Sequence, residues 1–135
     1  MYFPRRLLII DEEPQLTALL RDAFAATGRY LIKEESRRAR ALHAARHFQP
    51  DLFLVGAILP ELDGRELAEQ LRHEPALRDV PIVFVTSLDA HGAIGSVGYL
   101  GGYSFVAKSF QLSDLITCVD EILADDDAEP VRKVA

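Results

Sequence analysis

The fold of this chain is decided by the stretch Pro50–Gly64, which reads Pro-Asp-Leu-Phe-Leu-Val-Gly-Ala-Ile-Leu-Pro-Glu-Leu-Asp-Gly. Its apolar run from Leu52 to Val55 is bounded by Pro50 and Gly56, a pattern that predicts a short strand buried on both faces. The Pro-Glu-Leu-Asp-Gly that follows predicts a turn leading into a helix. A strand buried on both faces indicates a parallel sheet covered by helices on either side.

The alternation of an apolar run with an amphipathic stretch occurs five times along the chain. These runs predict strands at residues 7–10, 30–32, 51–55, 81–86 and 104–107. Five such units predict an α/β fold with a single five-stranded parallel sheet in the order 2-1-3-4-5. This topology places a site at the carboxyl ends of strands one and three.

Helical spacing and terminal residues predict where several of the helices lie. Pro14 suits the first turn of a helix, and Gly28 suits the position just after its end. Ser36 is predicted to cap the second helix. The inward faces of the first and last helices are predicted to carry Leu16, Leu19, Leu20, Ala23, Phe24 and Thr27, and Leu112, Leu115, Ile116, Val119, Ile122 and Leu123.

Composition narrows the class of protein. The chain has 135 residues, 49% hydrophobic content and a net charge of −6, which suits one compact domain and argues against non-specific nucleic-acid binding. Cys118 is the only cysteine, so no internal disulfide forms and a reducing, cytoplasmic location is expected. No stretch predicts a signal peptide or a membrane span. We expect a domain over residues 1–124 and an acidic tail or linker stub over residues 125–135.

The segment between the predicted fourth and fifth strands is rich in glycine. Five of the eight glycines lie between Gly92 and Gly102. Three interior glycines would weaken a helix by roughly 3 kcal/mol, so we predict a short, shifted or mobile fourth helix. A tolerated loose loop and a remodelled partner surface are both open interpretations.

Four sequence markers fall at the carboxyl ends of the predicted strands. They are the run Asp11-Glu12-Glu13-Pro14, the stretch Pro50–Gly64, Thr86 and Lys108. With these markers the chain resembles, from about residue 5 to residue 124, the CheY-like response-regulator receiver domains of two-component (phosphorelay) systems. The resemblance implies a flavodoxin-like fold in which the third strand ends in an aspartate that accepts a phosphoryl group. Gly56 stands at that position here.

The resemblance also implies roles for the other residues of the site. Asp11, Glu12 and the backbone carbonyl of Ile58 would hold Mg²⁺. Thr86 would contact the phosphoryl group, and Lys108 would pair with acceptor and phosphate. Phe105 would be the aromatic side chain that moves with Thr86.

Glycine at the acceptor position removes both the nucleophile and one ion ligand. We therefore expect a pseudo-receiver that is not an enzyme, with Mg²⁺ binding weak or lost. Lys108, without its usual partner, is expected to turn toward Asp11 or Glu12 and fill part of the gap beside Gly56. Whether Thr86 and Phe105 are relics or parts of a retained switch is left open.

Ser109 is a second departure from the family, whose members usually carry proline after this lysine. A cis bond before a non-proline residue costs roughly 2.5–4 kcal/mol, so a trans bond is expected. Partners of this module would be proteins, contacting the region Gly92–Tyr103 and the last helix, and a homodimer is left open.

Two other hypotheses remain. One is an ordinary phosphorylatable regulator whose acceptor was replaced by mutation. The other is a flavodoxin-like enzyme or ligand binder, which would need a phosphate-binding loop after strand one, rich in Gly, Ser or Thr. The run Asp11–Pro14 at that place is acidic and would repel phosphate.

Overall fold

The computed structural model describes residues 4–11, 13–57, 65–86, 97–100, 103–107 and 112–128. In these ranges, strands and helices alternate as far as residue 86, and two further strands and a last helix follow. Their bounds are β1 (Arg5–Ile10), α1 (Pro14–Ala26), β2 (Tyr30–Glu35), a 3-10 turn (Arg38–Arg40), α2 (Ala41–Phe48), β3 (Leu52–Ala57), α3 (Arg65–Arg72), β4 (Ile82–Thr86), β5 (Val97–Leu100), β6 (Tyr103–Ala107) and α4 (Leu112–Ala128).

The strands form one sheet in the order β2-β1-β3-β4-β6-β5. The neighbouring pairs are parallel except for β5 with β6, which is antiparallel. The predicted order 2-1-3-4 is therefore found for the first four strands. The prediction of a wholly parallel, five-stranded sheet is wrong, because an antiparallel edge strand is inserted in the chain between β4 and β6.

The inserted strand β5 lies where the sequence predicted a weakened fourth helix. Residues 97–100 pair with residues 103–106, and Leu100 lies opposite Tyr103. This register leaves a two-residue connection whose sequence is Gly-Gly, a dipeptide typical of tight β-hairpins. Valine, tyrosine and leucine in residues 97–100 suit a strand at least as well as a glycine-interrupted helix. Residues 91–96 lie outside the described residues.

The hydrophobic core has two halves, one on each face of the sheet. Successive residues of the central strands alternate between the halves, so Leu7 and Ile9 face one side while Leu8 and Ile10 face the other. This is the burial expected of parallel strands covered on both faces. One half also contains Leu20 and Phe24 of α1 and Leu115, Val119 and Leu123 of α4; the other contains Ala41, Ala44 and Ala45 of α2 and Leu67, Ala68 and Leu71 of α3.

The ends of the first helix are as predicted, but one residue of its predicted inward face is exposed. Pro14 begins α1, and Gly28, just after its end, has the positive φ of 77° that glycine tolerates. Leu19 is 51% exposed, whereas Thr17 is buried. Thr17 can be buried because its hydroxyl donates a hydrogen bond of 3.0 Å to the carbonyl oxygen of Glu13.

The remaining helices differ from expectation at two places. Ser36 does not cap α2, which begins at Ala41 directly after the 3-10 turn. In the connection between β2 and α2, the Oε2 atom of Glu35 accepts a hydrogen bond of 3.0 Å from the backbone N–H of Arg37. The last helix continues to Ala128, so the first four residues of the predicted tail are helical.

No helix in the described part of the chain is long and apolar enough to cross a bilayer.

Candidate functional site: a carboxyl group in the acceptor position

The carboxyl ends of the central strands meet at one edge of the sheet. Ile10, the last residue of β1, lies opposite Val55, so Asp11 follows at the level of Gly56. On the other side of β3, Gly56 is paired with Val85 and Ala57 with Thr86. The sheet therefore brings Asp11, Gly56 and Thr86 to the place where the topology predicted a site.

Asp11 is oriented by the short connection between β1 and α1. Its Oδ1 accepts a hydrogen bond of 2.8 Å from the backbone N–H of Glu13, a local contact that aspartate makes readily with the amide two residues further on. Glu13 is the residue just before α1. The backbone N–H of Asp11 also donates to the carbonyl oxygen of Glu35 at 3.2 Å. These bonds fix both the main chain and the carboxyl group of Asp11.

The carboxyl group of Asp11 lies directly over Gly56. A Cβ atom built on Gly56 would overlap Oδ2 and Cγ of Asp11 and would lie 3.0 Å from Oδ1. Asp11 is only 7% exposed, so its short side chain has little room to move aside. The space that any side chain at residue 56 would need is thus filled by a neighbouring carboxyl group, and glycine is the residue that permits this approach.

The other predicted site residues are described in part. Thr86 ends β4, and Phe105 lies within β6 opposite Phe84 of β4. Both therefore have the predicted positions along the backbone. Glu12, Ile58 and Lys108 lie outside the described residues, as does Ser109. The predicted contact of Lys108 with an acidic residue stays a prediction, although Asp11 itself fills the space beside Gly56.

The described residues do not supply a complete magnesium site. Mg²⁺ takes near-octahedral oxygen coordination and is usually held by one or two carboxylates with waters. In the described ranges no group of three or more His, Cys, Asp or Glu side chains could hold a metal. Asp11 provides a carboxylate, but one of its oxygens is committed to the Glu13 amide and the group is turned into the Gly56 space.

The antiparallel strand β5 changes the sheet edge beside β6. The sequence had predicted partner contacts over Gly92–Tyr103 and the last helix. Of the residues in 92–103, the structure describes 97–100, which lie at the end of the strand order, and Tyr103, the first residue of β6. The sequence signal for β5 is the Gly-Gly dipeptide between two β-prone runs. This dipeptide favours a tight hairpin as well as disfavouring a helix.

A polar cluster that the sequence did not predict joins β2 to α4. The Tyr30 hydroxyl and the Arg29 guanidinium both donate to the carboxylate of Asp120, the latter at 2.7 Å. Burial, then the hydrogen bond to Asp120 and its charge, raises the pKa of Tyr30 well above its ordinary value. The neutral phenol is therefore the favoured form. Because the cluster links the start of β2 to the last helix, its role is to hold α4 against the sheet.

Cys118 behaves as the sequence predicted. The thiol is half-buried and packs against the core half that contains Leu115 and Val119. Burial and the nearby charge of Glu121 raise the pKa of the Cys118 thiol. A raised pKa leaves less thiolate, the reactive form.

Known proteins share both the sequence pattern and the architecture. A family model described as response regulator receiver domain matches residues 7–120. The polar-differentiation response regulator DivK of Brucella anthropi is 27% identical over 122 residues, covering 90% of this chain and 98% of the relative. A crystal structure from Chloroflexus aurantiacus, of a protein described as a response regulator, has a TM-score of 0.74 and 27% identity over 90% of this chain and 99% of that one.

A more distant solved structure shares the fold of this chain. The receiver domain of the sensor histidine kinase PA1611 from Pseudomonas aeruginosa is 18% identical, with a TM-score of 0.71 over 90% of this chain and 99% of that one. It has a magnesium ion coordinated in its active-site cleft. The family match over residues 7–120 shows that the chain belongs to the response-regulator receiver domains of two-component signalling.

Proposed function

We propose that this domain is a pseudo-receiver, which signals through protein contacts and takes no phosphoryl group. The observation that carries the proposal is the Asp11 carboxyl group in the space over Gly56. Glycine offers no nucleophile, and phosphoryl transfer to a receiver needs a carboxylate with an ion to offset the charge. A module without that chemistry is a binding protein and not an enzyme.

Incubation with a small phosphodonor and Mg²⁺, followed by intact-mass analysis, tests the proposal. We expect no phosphorylated species of the wild-type chain. The Gly56→Asp variant in the same experiment reports whether the rest of the site still supports transfer. An acyl phosphate on the wild-type chain, on Asp11 for example, would show that another carboxylate has replaced the missing acceptor and would contradict the proposal.

The second part of the proposal is the surface of this domain that partner proteins contact. We propose that partners dock at the β5 edge and along α4. Two observations support this: β5 is last in the strand order, and residues 92–107 contain no charged side chain. An edge strand offers backbone donors and acceptors for a further strand. Charges on an edge strand discourage pairing, and the sequence of β5 has none. A second copy of the chain is one protein that could pair there.

Capture of partners from extracts of the native cell tests this surface. We expect Val97→Lys, which adds a charge to β5, to reduce capture at least tenfold. Leu31→Lys is the matched control, because Leu31 is 47% exposed on β2 at the opposite edge of the sheet. Phosphodonor treatment should leave the captured set unchanged. Equal losses for both variants would place the contact elsewhere.

Two further properties belong to this proposal. Binding of Mg²⁺ is at most weak, because the acceptor carboxylate is missing and Asp11 is turned toward Gly56. The protein acts in the reducing cytoplasm, which suits a single cysteine with a raised pKa.

A further inference from the structure

Two histidines lie one turn apart on the exposed face of α2. His43 and His47 are both exposed, and their ring centroids are 4.4 Å apart with an angle of 45° between the rings. Residues four apart on a helix are neighbours on the same face. The pair therefore brings two imidazole groups together without any change in the backbone.

A backbone contact determines which nitrogen of His47 is available. Its Nδ1 lies 3.0 Å from the carbonyl oxygen of His43. A carbonyl oxygen can only accept, so Nδ1 carries the proton in this contact, and the lone pair of the neutral ring is on Nε2. Metal-binding histidines commonly donate their other N–H to a carbonyl in this way, which fixes ring orientation and increases ligand basicity.

The arginines beside the pair each face a carboxylate. Arg40, three residues before His43, has its Nε 3.9 Å from Oε1 of Glu35. Arg46 is adjacent in sequence, but its guanidinium donates to the carboxylate of Glu74 at 2.7 and 3.3 Å. The ion pair neutralises this arginine and draws it toward the end of α3. His47 also lies in the last turn of α2, where the helix dipole favours positive charge.

We propose that His43 and His47 form a bidentate site for a divalent transition metal such as Zn²⁺, Cu²⁺ or Ni²⁺. Imidazole nitrogen suits these ions, whereas Mg²⁺ and Ca²⁺ take oxygen ligands. No third His, Cys, Asp or Glu in the described ranges completes a cluster, so water fills the remaining positions of the ion. The bound metal bridges one turn of α2 and stabilises it. The site is separate from the Asp11 edge and does not depend on the proposed function.

Zinc titration of the full chain by calorimetry tests the site, with His43→Gln and His47→Gln as test variants. We expect one zinc ion per chain, and at least about a tenfold loss of affinity for either variant. His73→Gln is the matched control. His73 also places Nδ1 near the carbonyl oxygen one turn before it, at 2.8 Å, but that residue is Glu69 rather than a second histidine. The zinc affinity of the His73→Gln variant should equal that of the wild-type chain.

Thermal unfolding provides a second measurement. A ligand that binds only the folded state raises the melting temperature. Zinc should therefore stabilise the wild-type chain and the His73→Gln variant more than the two test variants, and Mg²⁺ at the same concentration should not reproduce the effect. The proposal is wrong if all three variants lose equal affinity, or if zinc binds only at millimolar concentration, since both results describe adventitious binding to surface histidines.

Discussion

The carboxyl group of Asp11 occupies the space that a side chain at residue 56 would need. The main chain of β1 places Asp11 level with Gly56 on the neighbouring strand, and the Glu13 amide holds the carboxyl group there at 2.8 Å. A glycine at this position is therefore more than a missing acceptor. It is a packing requirement of the site as it is folded, because any Cβ would overlap the carboxyl group.

The Gly56→Ala variant should lower the free energy of unfolding by about 1–3 kcal/mol, because one added methyl group overpacks a buried site. Chemical denaturation measures the change. The double variant Asp11→Ala, Gly56→Ala should recover part of this loss, since the overlapping carboxyl group is gone. Gly28→Ala is a useful comparison: nothing lies within 4 Å of its added Cβ, so its cost of about 1 kcal/mol comes from the positive φ alone. If Asp11→Ala brings no recovery, the carboxyl group is not what excludes the methyl group.

The Gly56→Asp variant should be destabilised in a way that depends on pH and Mg²⁺. Two buried carboxyl groups in contact raise the pKa of one of them in the folded state. The folded state then binds more protons than the unfolded state, so stability falls as pH rises from about 4 toward 8. Mg²⁺ coordinated by both groups should relieve the repulsion.

Gly56→Asn is the matched control for this variant, because it has nearly the same shape and no charge. Its melting temperature relative to the wild-type chain should change little with pH or Mg²⁺. If the two variants respond alike, the destabilisation comes from volume, and the two carboxyl groups do not interact.

Much of the fold could be predicted because its signals are local and repeated. The apolar runs of β1 and β3 are buried on both faces as predicted, and Pro14 and Gly28 mark the ends of the first helix. The missed element has a physical explanation. Glycines in residues 92–102 disfavour a helix, but a Gly-Gly pair between β-prone residues also favours a tight hairpin, so the glycine content alone does not distinguish a weakened helix from a hairpin.

The site could be predicted in position but not in detail. Topology alone places Asp11 and Gly56 at one edge of the sheet. The orientation of the Asp11 carboxyl group depends on the Glu13 amide and on the separation of β1 from β3, which are tertiary quantities. Leu19 is exposed although helical spacing predicts it on the inward face of α1. Helical spacing shows which residues share a face, but the width of the buried stripe depends on what packs against the helix.

Replacing Tyr30 by phenylalanine should weaken the link between β2 and α4. The variant loses the hydroxyl that donates to Asp120, and we expect a loss of about 0.5–1.5 kcal/mol in the free energy of unfolding. Arg29 still contacts Asp120, so α4 should remain folded, which far-ultraviolet circular dichroism can check.

The pH dependence of the same variant separates the hydrogen bond from simple packing. The pKa of Tyr30 is raised in the folded state, so the unfolded chain releases the phenol proton first as pH rises past 10. The stability that the phenol contributes is complete below pH 10 and is lost at higher pH. The wild-type chain should therefore lose stability above pH 10 more steeply than Tyr30→Phe. If the stabilities of the wild-type chain and Tyr30→Phe change with pH in parallel, the pKa of Tyr30 is not raised in the folded state.

The sequence predicts that Lys108 contacts Asp11 or Glu12, and a double-mutant cycle tests the Asp11 alternative. Lys108→Met and Asp11→Asn each remove one charge while keeping most of the side-chain volume, and unfolding of both single variants and the double variant gives the coupling free energy. Asp11 is nearly buried, and a hydrogen bond to a charged group in such a place contributes about 1.5–3 kcal/mol. We therefore expect a coupling in that range. Lys33→Met is the control, because Lys33 is exposed on β2 and should show no coupling with Asp11→Asn. A coupling below about 0.5 kcal/mol for Lys108 would mean that the lysine does not pair with Asp11, and would leave Glu12 as its predicted partner.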